Sequence, residues 1–301
     1  MKSNKLNKCL ILSVLLIISI ITIIMFNTKN AYIKLTQLHD NSPSQMMGYF
    51  IKTSDGKIIV IDGGTKNDSE NLQKYINENG GRVDYWFITH FHADHTGALV
   101  DILNNTQIPI DTIIYHEVNK EMVEQYEPAR IEQYDSIHEA LQNERAQNKI
   151  VDPQPGQVFQ ISPKINVKIL SVYENDIVEN FGNNTSTVFK LNVNDDSILF
   201  LGDTGVESSE KLIKYHKDEL KSDYVQMAHH GQNGATFELY QEINPTYCLW
   251  PTPAWLWDND TGNGYNTGPF KTIETRKWVE ELKVKESYVE KDGDITLIIG
   301  K

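Results

Sequence analysis

The stretch THFHADHTG, residues 89–97, puts three histidines and one aspartate within six positions, directly after the apolar run VDYWFI. Imidazole nitrogens and a carboxylate oxygen are donors for a divalent metal ion. Zinc, iron and manganese all accept that set, and no thiolate is offered that would select zinc alone. Side chains alternate at the exit of a strand, so His90 and His92 point to one side and can hold one ion. Asp94 and His95 follow as the chain turns into TGALVDIL, and they offer an oxygen and a nitrogen to a second ion. Two ions about 3.5–4 Å apart activate a water as nucleophile and stabilise charge on the attacking and leaving oxygens of a displacement. His116, at the end of DTIIYH, is an alternative donor.

Donors this dense need elements to position them, and the surrounding pattern alternates strands with helices. KIIVIDGG (57–64) reads as a strand leaving through Asp and two glycines. SENLQKYINENG (69–80) reads as an amphipathic helix with Ser69 as N-cap and Gly80 as stop. VDYWFIT and DTIIYH are further strands, and residues 119–149 are a polar helical stretch broken at Pro128. INVKILSV is followed by a hairpin, TSTVFKLNVNDDSILFLGD, turning at residues 194–197, and by the helix ESSEKLIKYH. SDYVQMAHHG is a strand ending in a histidine pair. TYCLW is a strand, FKTIETRKWVEELKV a helix, and ESYVEKDGDITLII a closing hairpin. Interleaved elements of this kind predict an α/β (α+β) arrangement, sheets with helices on their outer faces.

Four of these stretches, in this order, resemble the metallo-β-lactamase superfamily: VIDGG (60–64), THFHADHTG, LGD (201–203) and AHHG (228–231). The resemblance implies a four-layer αββα sandwich and a hydrolase with two divalent ions, zinc in the first instance, with iron or manganese as alternatives. It places His90 and His92 on the first ion, Asp94, His95 and His229 on the second, and Asp203 between them. It gives Asp62 the task of bracing the metal loop. In the mechanism expected from such a centre, Asp94 orients the nucleophile while remaining a ligand. His230, alternating to the other side of His229, is expected to face substrate or steady the developing oxyanion, together with Asn183 or Asn184. One departure is plain. Many members carry a third histidine for the first ion, often as G-H-T, where this chain has FGNNTSTVF and no histidine. An NN-x-S-x-V stretch before LGD, followed by HHG, is similar to the hydrolase domains of competence-type DNA-uptake proteins and to phosphorylcholine esterases. That implies a phosphoester, most concretely a phosphodiester. A lactonase, another carboxylic-ester or amide hydrolase, and a non-catalytic extracellular binding protein of the same fold are the alternatives.

Outside this region the first 30 residues differ from the rest. MKSNKLNK carries three lysines and no acid, and residues 9–26, CLILSVLLIISIITIIMF, are 18 positions without a charge. That length just crosses a bilayer core of about 30 Å. The lysines ahead of it keep the N-terminus inside, so the expectation is one N-terminal transmembrane helix with the remainder outside the cell. A cleaved signal peptide is the rival, and the NTKNAY that follows is a poor cleavage site. The domains are then 1–30, basic tail and anchor, and 31–301, the hydrolase. Residues 1–30 hold four of the 28 basic residues and none of the 41 acidic ones, which leaves 24 against 41 in 31–301, a net of −17. A surface that negative repels polyanions, so long nucleic acid is not the expected partner. A small-molecule or head-group ester is. WPTPAWLWDNDTGNGYNTGPF (250–270) is rich in aromatics, and Trp255 and Trp257 near Asp258 and Asp260 are expected to cage a quaternary ammonium by cation–π attraction.

Overall fold

The computed structural model describes residues 31–41 and 44–301; the expected anchor and Cys9 lie outside the described residues. Among the described residues no helix is long and apolar enough to cross a membrane.

Two seven-stranded sheets stack face to face. The first contains β1 (Ile33–Gln37), β2 (Gly48–Thr53), β3 (Ile58–Asp62), β4 (Val83–Phe87), β5 (Ile110–Ile114), β6 (Ile150–Val151) and the last strand, β14 (Ile295–Ile299). Its order is β14-β1-β2-β3-β4-β5-β6. The second contains β7 (Val158–Ser162), β8 (Ile165–Ser171), β9 (Val188–Val193), β10 (Asp196–Phe200), β11 (Tyr224–Gln226), β12 (Tyr247–Trp250) and β13 (Glu286–Val289), in the order β13-β12-β11-β10-β9-β8-β7. Each sheet is half antiparallel and half parallel: β1, β2 and β3 pair antiparallel before β3, β4 and β5 run parallel, and β8, β9 and β10 pair antiparallel before β10, β11 and β12 run parallel.

Period-two alternation explains why the strands read as continuous apolar runs. In β3, Ile58 and Val60 pack among the helices Ser69–Glu78 and Ala93–Asn105, while Ile59 and Ile61 pack between the sheets. In β10, Ile198 and Phe200 face the inter-sheet core, while Leu199 faces the helices Val206–Leu220 and Phe237–Ile243. A strand buried on both faces has no polar side to show. Three apolar clusters therefore separate four layers, helices, sheet, sheet, helices, as the resemblance implied.

Two local expectations are corrected. Ser69 is the first residue of its helix rather than its cap. The cap lies one turn earlier, where Thr65 and Asp68 form a reciprocal capping box around a short 3₁₀ turn. The closing hairpin does not form either. β13 pairs parallel with β12 in the second sheet, and β14 crosses to pair antiparallel with β1 in the first. The 3₁₀ turn Glu290–Asp292 and Gly293 at φ +97° redirect the chain between layers, where a hairpin would need the two strands in one sheet.

Candidate metal centre

The donors collect where strands of both sheets end. β3 ends at Asp62, whose backbone is left-handed (φ +54°) ahead of Gly63 and Gly64. That turn points the fully buried carboxylate across to the loop after β4. The backbone N–H of Thr89 donates to Asp62 Oδ1 at 2.8 Å and the Thr89 hydroxyl donates to Oδ2 at 2.8 Å. His95 Nδ1 lies 2.7 Å from the same Oδ2. Asp62 thus fixes both the loop and one imidazole. His92 then starts the helix Ala93–Asn105, which brings Asp94 and His95 into its first turn.

From the second sheet come Asp203, three residues past β10, and the pair His229 and His230 past β11. Asp203 is 1% exposed. Its Oδ1 lies 3.3 Å from His95 Nε2, and its Oδ2 lies 3.8 Å from His90 Nε2, 3.9 Å from His229 Nε2 and 3.6 Å from His230 Nε2. Two groups of donor atoms, each within 4.8 Å of one another, result: His90, His92 and Asp203, and Asp94, His95 and His230.

The histidine pair is exchanged relative to expectation. His230, not His229, joins Asp94 (3.3 Å) and His95. The resemblance placed His229 on the second ion and alternation put His230 on the other side of it, but β11 ends at Gln226, and both His229 (φ +50°) and His230 (φ +53°) are left-handed. Two successive non-glycine residues in that region reverse the chain and replace alternation with a tight turn. His230 is buried completely, with Nδ1 2.9 Å from the Pro251 carbonyl. His229 is partly exposed at the mouth, with Nε2 3.4 Å from Asn183 Nδ2.

Asn183 is buried at this mouth, held by a 2.8 Å bond to Asn180 Oδ1. Asn184 turns the other way: its amide oxygen accepts from Gly205 N–H and its nitrogen donates to Glu207, so it anchors the start of the helix Val206–Leu220 instead of facing the donors. His116 is also removed from the donor set, since Asp152 takes its Nδ1 and the Tyr173 carbonyl its Nε2. Trp257 forms no cage. It meets Trp250 edge to face at 5.1 Å, and its ring already carries the Arg276 guanidinium at 4.2 Å. Trp255 donates to the Ser44 carbonyl, stacks edgewise on Phe270 and lines a surface pocket of about 560 Å³ with Asp40, Glu290 and Asp292.

Four residues near the donors were not singled out from the sequence: Gln45, which donates to Asp94 Oδ2 at 3.1 Å; Ser186, whose hydroxyl accepts from the Asp203 backbone N–H at 2.9 Å and lies 3.5 Å from His90 Nδ1; Glu127, 3.1 Å from His92 Nε2; and Gly182 beside it. Only Ser186, inside the NN-x-S-x-V stretch, carried any signal.

The donor set fits divalent ions. His90 Nε2, His95 Nε2, His230 Nε2 and Asp203 Oδ1 are buried without a hydrogen-bond partner, and all are aimed at one another's space. Buried polar atoms of this kind are costly unless something pairs them. Electrostatics favours the deprotonated carboxylate: burial works against charge on Asp203, yet His95, His230 and His229 hold its carboxyl well below the usual range. Burial, aided by the neighbouring imidazoles of His95 and His92, pushes His90 well down, toward the neutral form that ligates.

The family model described as Metallo-beta-lactamase superfamily matches residues 47–239, more than half of the chain. A curated relative, hydroxyacylglutathione hydrolase of Idiomarina loihiensis, is 28% identical over 61 residues, 20% of this chain; the match spans 23% of that relative's length. Solved structures share the fold at low identity. YhfI of Bacillus subtilis is 13% identical with a TM-score of 0.53, covering 89% of this chain and 99% of that one. Unliganded yeast PDE1 is 14% identical with a TM-score of 0.53, covering 86% and 97%. CmlA, a diiron β-hydroxylase from Streptomyces venezuelae, is 12% identical with a TM-score of 0.52, covering 89% and 54%.

Proposed function

The chain belongs to the metallo-β-lactamase superfamily, and from that premise we propose that it is a metal-dependent hydrolase whose substrate is a phosphodiester. The observation that carries this reading is the pair of donor groups, each two imidazoles and one carboxylate, meeting at Asp203. Divalent ions held there supply Lewis acidity toward an ester oxygen and lower the pKa of a water.

The chain's own residues divide the remaining work. Asp203 presents one oxygen to each group and sets their spacing. Asp94 is partly exposed and is held by Gln45, so it can orient an incoming nucleophile from the mouth. His230 is buried, with Nε2 facing Asp94 and Asp203 inside the donor set, and does not reach the mouth to steady an oxyanion. That role passes to His229 and Asn183, which share the mouth. With Asp203 shared, three protein donors face the first group and four the second, which would leave room for substrate oxygens, and a phosphodiester brings two non-bridging oxygens, one for each group. Zinc, iron and manganese all suit the donors. The substrate is a small molecule or head group, because the net charge of −17 over residues 31–301 disfavours a long polyanion. We further infer that residues 1–30 anchor the protein in the cell membrane with the hydrolase outside, supported by Lys2, Lys5 and Lys8 ahead of the apolar run.

The test is a screen of the metal-loaded chain against phosphodiester, phosphomonoester, lactone and β-lactam chromogens. Turnover chiefly of the phosphodiester is expected. Turnover chiefly of the lactone reassigns the substrate, and no turnover of any ester by protein holding two ions supports a binding protein.

A further inference from the structure

Resting on the two-ion reading above, we propose that Glu127 is the positioning residue of the first donor group, acting through His92, and that Gly182 is glycine in order to admit it. Both Glu127 oxygens face His92 Nε2, at 3.1 and 3.2 Å. A carboxylate there accepts the Nε2–H, which leaves the lone pair on Nδ1. The other imidazoles follow the same rule. His95 gives its Nδ1 to Asp62, His230 gives its Nδ1 to the Pro251 carbonyl, and His90 Nδ1 lies 3.1 Å from the Thr89 hydroxyl. Each of those three therefore turns Nε2 toward Asp203, whereas His92 is held at the opposite nitrogen, which leaves Nδ1 as its donor atom. A carboxylate behind a ligating imidazole fixes its tautomer and ring plane and raises its basicity.

The placement of Glu127 is built, not incidental. It sits between the helix Lys120–Tyr126 and the 3₁₀ turn Pro128–Arg130, at φ −146° and ψ 53°. A residue before proline is kept out of the helical region, so the break turns this side chain off the helix surface and inward. Just before it, Tyr126 packs on Phe181 with ring centroids 5.9 Å apart, which clamps the break to the turn Phe181–Asn184. A Cβ added to Gly182 would lie 2.0 Å from Glu127 Oε2 and 2.3 Å from His92 Nε2. No side chain fits at 182 while the Glu127–His92 contact stands. The first group has no third imidazole from this turn; it has instead a negative charge set behind its second one.

The experiment titrates zinc or cobalt(II) into the full-length chain, using chelator competition to resolve the two ions. Glu127→Gln keeps an acceptor without charge, and Glu127→Ala removes both. The first ion is expected to weaken roughly tenfold in the first variant and up to about 100-fold in the second, with the second ion unchanged. Gly182→Ala should reproduce the loss, and the cobalt(II) absorption of the first site should change in each variant. Wild-type affinity for both ions in Glu127→Ala overturns the proposal. Equal weakening of both ions, with a lower melting temperature of the metal-free chain, also overturns it, because that is what a structural role alone would give. A wild-type chain that binds no ion overturns the two-ion reading itself.

Discussion

The two donor groups share Asp203 and differ in what stands behind them. His95 and His230 are backed by Asp62 at the end of β3 and by the Pro251 carbonyl just past β12, both buried parts of the two sheets. His92 is backed by Glu127, a quarter exposed, at a break between short helices outside the sheets. One group is thus braced by buried parts of both sheets, and the other takes the bracing of one imidazole from a partly exposed segment outside them. Local opening follows burial and contact density. The difference teaches that the two donor groups of one centre can be braced unequally, one wholly from the sheets and the other, at His92, by a contact outside them.

The largest effect should come from removing what the groups share. Asp203→Ala is expected to strip both ions and lower kcat/KM by about 10³-fold or more, since it deletes the one carboxylate facing both. Elemental analysis together with steady-state rates checks this, and a variant retaining two ions would separate the groups altogether. Next is the histidine pair. His230→Ala should lose the second ion and cost about 100-fold in activity, whereas His229→Ala should keep two ions and lose only about tenfold, mainly in kcat. The reverse pattern would restore the inward placement of His229. Smaller effects are expected away from the donors. Trp257→Ala should destabilise the fold by about 2–4 kcal/mol in denaturant titration, because its ring packs on Trp250 and under Arg276. It should not alter the preference between a choline phosphodiester and a plain nitrophenyl phosphodiester. Trp255→Ala should raise KM for the choline ester alone by about 5-fold or more if its pocket takes a cationic head group. The smallest change belongs to His116→Ala, with metal content at wild-type level and about 1 kcal/mol of stability lost with its bonds to Asp152 and Tyr173.

What could be read from the chain follows the range over which its signals act. The motif at residues 90–95 is local: strand, loop and helix start lie within a few residues, so spacing and alternation suffice to bring the donors near one another. The same alternation turned His230 away from the donors because it presumes extended backbone, and nothing in AHHG states that two histidines in succession are left-handed. ESYVEKDGDITLII has the composition of a hairpin, and only the competition between sheets sends β14 to β1. Trp257 looked available because a sequence does not say which guanidinium will lie on a ring. Glu127 was the least legible. It stands 35 positions from His92 in a stretch of glutamates and glutamines, and its side chain is distinguished from theirs only by the bend before Pro128.

The pairing of β14 with β1 also sets how this molecule can be tethered. Ile33 lies opposite Ile299 and Thr53, while Gln37, Gly48 and Asp62 mark the far end of the same strands, so residue 31 and residue 301 emerge together at the pole away from the donors. Asn194 ties that pole shut by donating to the carbonyls of Ala31 and Gly300. A linker, a lipid surface or a solid support attached at either end would therefore hold the protein like a lamp on its stem, with the metal-binding mouth turned outward and about one strand length, roughly 15 Å, further from the attachment point.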